Sequence, residues 1–587
     1  MSTDVTKLTS VERKVIQAEA WADVWAEMLS LKIDGRNWDL ANREYLRDVY
    51  RDNSQWIVCR KAAQMGFTVA FLIKTLHRVI AWKWNGLYLL PTKTGVVPFV
   101  QGRFNPMIDD NPLLKDKFGQ VDSVTHKRTS QNNLYFRGTN VQTDLREIPV
   151  DFEIWDERDK MASENLPLAR TRMDGSLHKH LTELSTPTVE DWGIDAAFKD
   201  TDQRHWFVPC VFCGVKQSLM WDSHVHVGDT DSLDICKKTT EIRCEHCHKT
   251  WTHAHIMEMA QLGTWVATIE GREGHGYYIN QLVSPTRTIS ELSEIWYQGE
   301  IRGRVEEAKE LWNSALGLPW AAPGDRLTPE SLDEARDPGY YMPGLNSAST
   351  TKALSIGVDV GKYLHVVGMY GHGDEKRRVI DIKMMGWPEL TNLLIELQTR
   401  RIMWTAVMDA NPEKFQAEKL ASMFPNQLWL AFYSDPKNMS TLAEWQPVNP
   451  YAAKSYASVR IDRTMAIDTA HQMLLRKRCV LPVNARQLVN PGSGYGDFYA
   501  QMISQTAITQ PDSMGNPRRI YVHPESKPDH FDHAFTYCTI ASFMEPNRQD
   551  FPEEMGVQDV PGGTSILNEV DDLFVQDNEG MSFDGNF

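Results

Sequence analysis

The stretch Arg60-Lys61-Ala62-Ala63-Gln64-Met65-Gly66-Phe67-Thr68 constrains the fold of this chain more than any other. It follows the apolar run Trp56-Ile57-Val58-Cys59 and leads into Val69-Ala70-Phe71-Leu72-Ile73, which has helical character. Strand, tight turn and helix in that order suit an anion, because turn amides and the positive end of the helix dipole converge on one point. The usual spelling of such a phosphate loop is G-x-x-x-x-G-K-[ST]. Gly66 and Thr68 fit it, but Phe67 stands in the lysine slot and Lys61 in the first glycine slot. Taken alone, the stretch is either an ordinary strand–helix turn or a phosphate loop whose lysine has moved to its start.

A length of 587 residues exceeds one core and predicts two or more domains. At 42% hydrophobic and 24% charged residues the composition is that of a soluble globular protein. No apolar run reaches the roughly 18 residues that span a bilayer, and Met1-Ser2-Thr3-Asp4 opens no signal peptide, so no membrane partner is expected. The net charge of −16 is uneven: residues 548–587 hold ten acids and one base. The mildly acidic remainder leaves room for a basic groove on nucleic acid.

Thr9-Ser10-Val11-Glu12 reads as a capping box before a helix to about Leu31. Gly86 to Leu90 reads as a buried strand ending at Pro91-Thr92. Val141 to Val150 leads into Phe152-Glu153-Ile154-Trp155-Asp156-Glu157, a strand ending in two carboxylates. In a nucleotide-hydrolysing fold the first supports Mg²⁺ and the second orients the attacking water. Leu184-Ser185-Thr186-Pro187 is a third strand end, with hydroxyls that suit a γ-phosphate sensor. Two C-x-x-C knuckles, Cys210/Cys213 and Cys244/Cys247, can set four thiolates around one structural Zn²⁺; Cys236, His248, His253 and His255 are alternative ligands. His275 to Trp320 reads as helical and mixed, and 325–346 as a linker rich in Pro and Gly.

The pattern then restarts. Strand 353–361 carries Asp359, a hairpin spans His365 to Tyr370 and Arg378 to Met384, and a helix leads to a strand ending in Asp409. A further helix and strand follow, and a late helix begins near Asp529-His530-Phe531-Asp532-His533. This is the element order of a ribonuclease-H-like fold. A buried Asp in an apolar strand is costly unless paired or metal-bound. Carboxylates at Asp359, Asp409 and Asp532 would suit two hard cations acting on a phosphodiester. Residues 550–587 read as a disordered acidic tail in which Ile566, Leu567, Val570, Leu573 and Phe574 have the spacing of a docking helix.

Together these residues resemble the large terminase subunit of tailed phages, in its lambda-type (GpA) branch, from about residue 40 to about 545. There the loop reads K-[SA]-A-x-x-G-[YF]-[ST], and Lys61 through Thr68 looks like that form. Leu90-Pro91-Thr92, Arg146-Glu147 with Val150-Asp151 and Asp156-Glu157, Arg172 to Ser176, and Ser185-Thr186-Pro187 resemble the segments that follow. The resemblance implies an α/β chain: an N-terminal helix at 1–35 that contacts the small subunit, a RecA-like (ASCE P-loop) ATPase domain at 36–205, a zinc ribbon at 206–256, a helical subdomain and linker at 257–346, a ribonuclease-H-like nuclease at 347–546, and a tail at 547–587 that suits the portal.

The resemblance further implies that ATP lies on Lys61, Ala62, Ala63, Gln64, Met65, Gly66, Phe67 and Thr68. Thr68 and Asp156 would hold Mg²⁺, Glu157 would activate water, and Arg146 or Arg172 would stabilise transferring charge. Asp359, Asp409 and Asp532 would hold Mg²⁺ or Mn²⁺, with Asp529 second to Asp532 as third carboxylate and His530 a possible extra ligand. Double-stranded DNA, the small subunit, the portal and further copies of the chain would be its partners, in the cytoplasm of an infected bacterium. Two other readings compete: a helicase–nuclease of repair or restriction, disfavoured because no second helicase domain is evident, and a non-catalytic zinc-ribbon scaffold, favoured by the odd lysine slot.

Overall fold

Strand β1 (Trp56–Lys61) is buried along almost its whole length. In the computed structural model it lies parallel to neighbours on both sides, and such double burial explains an apolar run without alternation. The described residues are 9–118, 121–322, 324–371, 375–434, 439, 441–448, 456–487, 498–512, 516–524 and 526–544; the tail and its docking-helix spacing lie outside them. Two compact units result. One comprises Met1–Ala322 with Ile508–Arg519, the other Pro323–Ala507 with the chain from Ile520 onward.

In the first unit β1 is followed by α1 (Phe67–Ile80), β2 (Gly86–Leu90), β3 (Asn133–Gly138), β4 (Phe152–Asp156), β5 (His180–Ser185), β6 (Arg204–Pro209) and β7 (His275–Ile279). They order in one sheet as β6-β7-β1-β5-β4-β2-β3, all parallel through this run. The strand of the loop and the strand of the two carboxylates are thus separated by β5. Loop, carboxylates and the Ser185 end all emerge at the carboxyl edge, where open parallel sheets bind ligands. The helical expectation for residues 275–320 fails at its start, where 275–279 form β7 beside β1. Tyr277, Tyr278 and Ile279 bury there, so the sheet of the first unit continues well past residue 205. The N-terminal helix keeps its capping box, with Thr9 and Glu12 bonding reciprocally, but stops at Ala20, and a second helix covers Ala22–Met28.

The knuckles lie between β6 and β7. A small antiparallel sheet of Val225–His226, Glu241–Arg243 and Thr250–Trp251 carries the second knuckle, and β6 carries the first.

The second unit is built on β8 (Leu354–Val360), β9 (Leu364–Tyr370), β10 (Arg377–Met385), β11 (Trp404–Asp409), β12 (Leu428–Ser434) and β13 (Ala457–Asp462). Their order is β10-β9-β8-β11-β12-β13, antiparallel among the first three and parallel from β8 onward. Helices α2 (Arg463–Leu475) and α3 (His530–Phe543) pack on this sheet. Gly357 lets α3 come close: a Cβ there would sit 1.9 Å from the Ala534 carbonyl oxygen and 2.2 Å from the Cys538 nitrogen. That close approach carries the first turn of α3 to the end of β8. The strand order and the late helix follow the element order expected from the sequence.

Candidate functional sites

The loop after β1 is held open by its surroundings. Gly66 takes φ +85, which an L side chain rarely adopts, and caps α1. The Ala62 amide donates to Ile279 O at 2.9 Å and the Ala63 amide to Ser314 O at 2.7 Å, while Gln281 Nε2 donates to Ala63 O and Tyr45 OH to Met65 O. The Ala62 and Ala63 amides are therefore spent on the scaffold, which corrects their expected part in holding phosphate. Among the described residues no acceptor takes the amides of Gln64, Met65, Gly66, Phe67 or Thr68. These five surround the amino end of α1. Phe67 itself is 1% exposed and stacks on Tyr45, so its side chain serves the core and only its amide faces the loop.

Lys61 Nζ stands 3.6 Å from Glu157 Oε1, across the gap between β1 and β4. Glu157 holds a left-handed backbone (φ 64) just past β4, with its amide on Leu184 O. Burial pushes its carboxyl up, but Lys61 and then Lys160, whose Nζ is 3.0 Å away, hold it below its ordinary value. Glu157 is thus ionised and suited to orient water. Its neighbour differs. Burial, with the Glu157 charge, raises the Asp156 carboxyl, against the pull of Lys61 and of the Tyr88 and Thr68 hydroxyls. Tyr88 OH donates to Asp156 Oδ2 at 2.7 Å, while Oδ1 is buried without a hydrogen-bond partner. An orphaned carboxylate oxygen beside a threonine hydroxyl fits a Mg²⁺ ion.

Neither candidate arginine reaches this point among the described residues. Arg146 is exposed. Arg172 donates to the Thr171 hydroxyl and the Leu168 carbonyl, and its charge acts on Glu153, which alternation sets on the opposite face of β4 from Asp156. Ser185 Oγ accepts from the Asp159 amide and donates to Thr186 O, so it braces the loop after Glu157. Tyr88 and Lys160 carry no local sequence signal: one is a single aromatic in an apolar strand, the other a single base in a loop.

The four knuckle cysteines converge, with all sulfurs within 4.8 Å of one another. Cys210 to Cys247 is 3.9 Å and Cys213 to Cys244 is 3.8 Å. Four thiolates about 2.3 Å from a central zinc would lie roughly 3.8 Å apart. The Phe212 and Cys247 amides and Gln217 Nε2 donate to Cys210 and Cys244 sulfurs, as thiolates require. Cys236 faces Thr240, and His255 bonds the Thr252 amide as part of a helix cap. Neither joins the four-sulfur cluster.

In the second unit Asp359 lies on β8 and Asp409 at the end of the adjacent β11. Burial, then the Asp359 charge, pushes Asp409 up to about 6. The third carboxylate is where the chain departs from expectation. Asp532 is wholly buried, and both its oxygens take His471 Nε2 of α2, at 2.9 and 3.1 Å. Asp529, which precedes α3, shares its histidine neighbours with Asp359: the charges of both act on His530 and His533. His533 Nε2 is 3.2 Å from Asp529, the Asp359 charge acts on His533, and His530 Nδ1 is 2.8 Å from Asp359. Burial pushes Asp529 up, but the His533 hydrogen bond and charge, with His523 and Arg463, hold it well below the carboxylate range. The preference for Asp532 over Asp529 is therefore reversed. Residues 529 and 533 share a helix face and 532 does not, and only the packing of α2 reveals which face meets the sheet. Three carboxylates, two of them on adjacent strands, fit Mg²⁺ or Mn²⁺ in donor type. His533, bonded to Tyr433 OH at 2.8 Å, has no sequence signal beyond following Asp532.

Residues 41–265 match the family model described as phage terminase large subunit gpA, ATPase domain. No curated protein sequence matches the chain. Among solved structures, the crystal structure of the HK97 bacteriophage large terminase is similar, at 13% identity and a TM-score of 0.44, over 90% of this chain and 99% of that one. The Thermus phage P74-26 large terminase ATPase domain aligns at 12% identity and a TM-score of 0.27, over 46% of this chain and 91% of its own. The large terminase nuclease from thermophilic phage G20c with bound magnesium aligns at 13% identity and a TM-score of 0.24, over 36% and 94%.

Proposed function

We propose that this chain, whose residues 41–265 match the ATPase-domain model of the phage terminase large subunit gpA, pumps viral DNA into a procapsid with ATP and cuts concatemeric DNA with a metal-dependent nuclease. The observation that carries the reading is Lys61 held 3.6 Å from an ionised Glu157, beside five open amides and the orphaned Asp156 oxygen. Lys61 at the start of the loop then replaces the lysine missing at position 67. The amides of Gln64 to Thr68 bind the terminal phosphates, and Lys61 leaves Glu157 for the γ-phosphate when nucleotide arrives. Released, Glu157 orients the attacking water. Bound Mg²⁺ would supply charge neutralisation, with Asp156 and Thr68 holding it. Arg146 or Arg172 would act from a neighbouring copy on the portal.

The cysteine cluster would hold one structural Zn²⁺, and Asp359, Asp409 and Asp529 would hold the cations of the nuclease, which would supply activation of water and charge neutralisation at the leaving 3′ oxygen. The N-terminal helix, with Val11, Val15 and Ile16 exposed, suits the small terminase subunit, and the acidic tail the portal.

The test is ATP turnover and ATP-driven protection of DNA inside procapsids. Lys61→Ala lowers turnover at least about 100-fold, as loss of a charge-stabilising contact on a transferring phosphoryl should, and abolishes protection. Undiminished turnover removes Lys61 from the mechanism. Turnover without DNA protection by the wild type removes the packaging role.

A further inference from the structure

Asp359 and Asp409 stand at the ends of two neighbouring strands, and an exposed aromatic follows each of them. Val358 pairs with Met408 in the parallel pair β8/β11, so the two carboxylates come next, side by side at the carboxyl ends. β8 turns into β9 through Gly361-Lys362-Tyr363, where Tyr363 is 41% exposed and the Lys362 Nζ lies 5.8 Å from its ring centroid. β11 is followed by exposed residues from Asn411 to Gln416, which run into the helix Lys414–Met423. That helix buries Ala417, Leu420 and Ala421, a single face at i, i+3 and i+4 spacing. Phe415 points off that face and is 81% exposed, so the helix has its core contacts without it. A lone exposed apolar side chain is ordinary on a protein surface, but this ring sits at the rim of a carboxylate centre suited to phosphodiesters. It follows Asp409 by six residues, so its Cα is no more than about 20 Å away, or roughly six base steps along a strand. Charge gives the helix little hold on DNA: Lys414 Nζ is 3.9 Å from Glu418 Oε1, and Glu413 and Glu418 offset Lys414 and Lys419. The contact it offers is the face of the ring.

We propose that Phe415 is a wedge that enters the base stack of duplex DNA beside the phosphodiester cut at Asp359, Asp409 and Asp529. Apolar side chains inserted between base steps unstack and kink a duplex. Stacking on an aromatic ring tolerates every base, because every base has a π-face. The wedge therefore distorts the duplex at the cut without reading its sequence. The inference deepens the nuclease reading and rests on it: it names locally unstacked duplex DNA as the form of substrate that the site takes.

The experiment gives the full-length protein, under Mn²⁺, two linear duplexes of equal length, one fully paired and one with a central mismatched bubble. Its readout is the ratio of the paired to the bubble cutting rate. Unpaired bases cost least to unstack, so the bubble has little need of a wedge. Phe415→Ala should lower the ratio at least about fivefold from wild type, the smallest effect expected for a lost base–aromatic stack. Phe415→Trp should recover most of the ratio. The ring is exposed, so both variants should melt as wild type does; should Phe415→Ala melt early, Phe415→Gln takes its place in the same comparison. A smaller fall in the ratio overturns the wedge. Equal slowing on both duplexes would make Phe415 a general DNA contact, and an unmoved ratio would leave its ring to a protein neighbour. Phe415→Trp no better than Phe415→Ala, or a wild type that cuts only the bubble, also overturns it. In all of these the nuclease reading stands, because the wild type cuts. A wild type that cuts neither duplex removes the nuclease reading and the wedge together.

Discussion

Asp529 and Asp532 sit three residues apart on one helix start, and they do different work. Asp529 pairs with His533, on which the Asp359 charge also acts, and Asp532 is hydrogen-bonded to His471 Nε2 in the core. Asp529→Asn should therefore abolish plasmid cutting under Mn²⁺, with some loss of stability at neutral pH because His533 holds its carboxylate ionised. Asp532→Asn should cost about 2 kcal/mol of stability, the scale for a damaged buried polar pair. Paired cutting assays and denaturant melts check this, and a stable, inactive Asp532→Asn would return Asp532 to the metal site. Glu153 gives a pH signature. Wholly buried on β4, with Trp155 Nε1 donating at 2.7 Å, it is pushed up to about 8 chiefly by burial, from 4.5. The folded chain thus keeps a proton there that the unfolded chain loses. This contribution to stability is full below about pH 4.5 and declines as pH rises towards 8. Glu153→Gln keeps a neutral acceptor for Trp155 and removes that decline, so its melting temperature relative to wild type should rise between pH 5 and 8. A constant difference across that range would show that Glu153 is ionised in the fold.

At the scale of elements, the sequence was legible wherever a motif and its flanks were local. The loop, both carboxylate strands and the cysteine knuckles lie where their residues said, because each is a strand end with its turn chemistry written beside it. Two things were not legible. The strand 275–279 has the same apolar and aromatic text as a helix edge, and only pairing with β1 selects extended backbone. The face of α3 that meets β8 depends on α2, far away in sequence. The α3/β8 contact has one narrow requirement at Gly357. Gly357→Ala should destabilise the second unit by about 3 kcal/mol, since backbone rather than a yielding side chain meets the new methyl. Gly102→Ala, where a Cβ meets nothing within 4 Å, should be neutral or slightly stabilising. Denaturant midpoints of the two variants check the contrast, and equal midpoints would deny that α3 seats on β8 through that glycine.

Across the whole molecule, the apolar residues gather without sharing members. The largest cluster runs from Ala18 to Leu316, and the two principal clusters of the second unit draw only on residues from Leu327 onward. Cores that share no residues can melt separately, so unfolding should show more than one transition. Nucleotide then becomes a label for the first unit. A non-hydrolysable ATP analogue with Mg²⁺ at 100 times its dissociation constant stabilises the state it binds by about 2.7 kcal/mol. It should raise the transition that carries the cysteine cluster and leave the other where it was. In Lys61→Ala the same ligand should shift neither transition, because the loop then lacks the side chain that offsets phosphate charge. Scanning calorimetry with and without analogue reads all three outcomes. A single transition that moves as a whole would mean that the two cores fold as one, and a full ligand shift in Lys61→Ala would mean that the open amides alone hold the nucleotide.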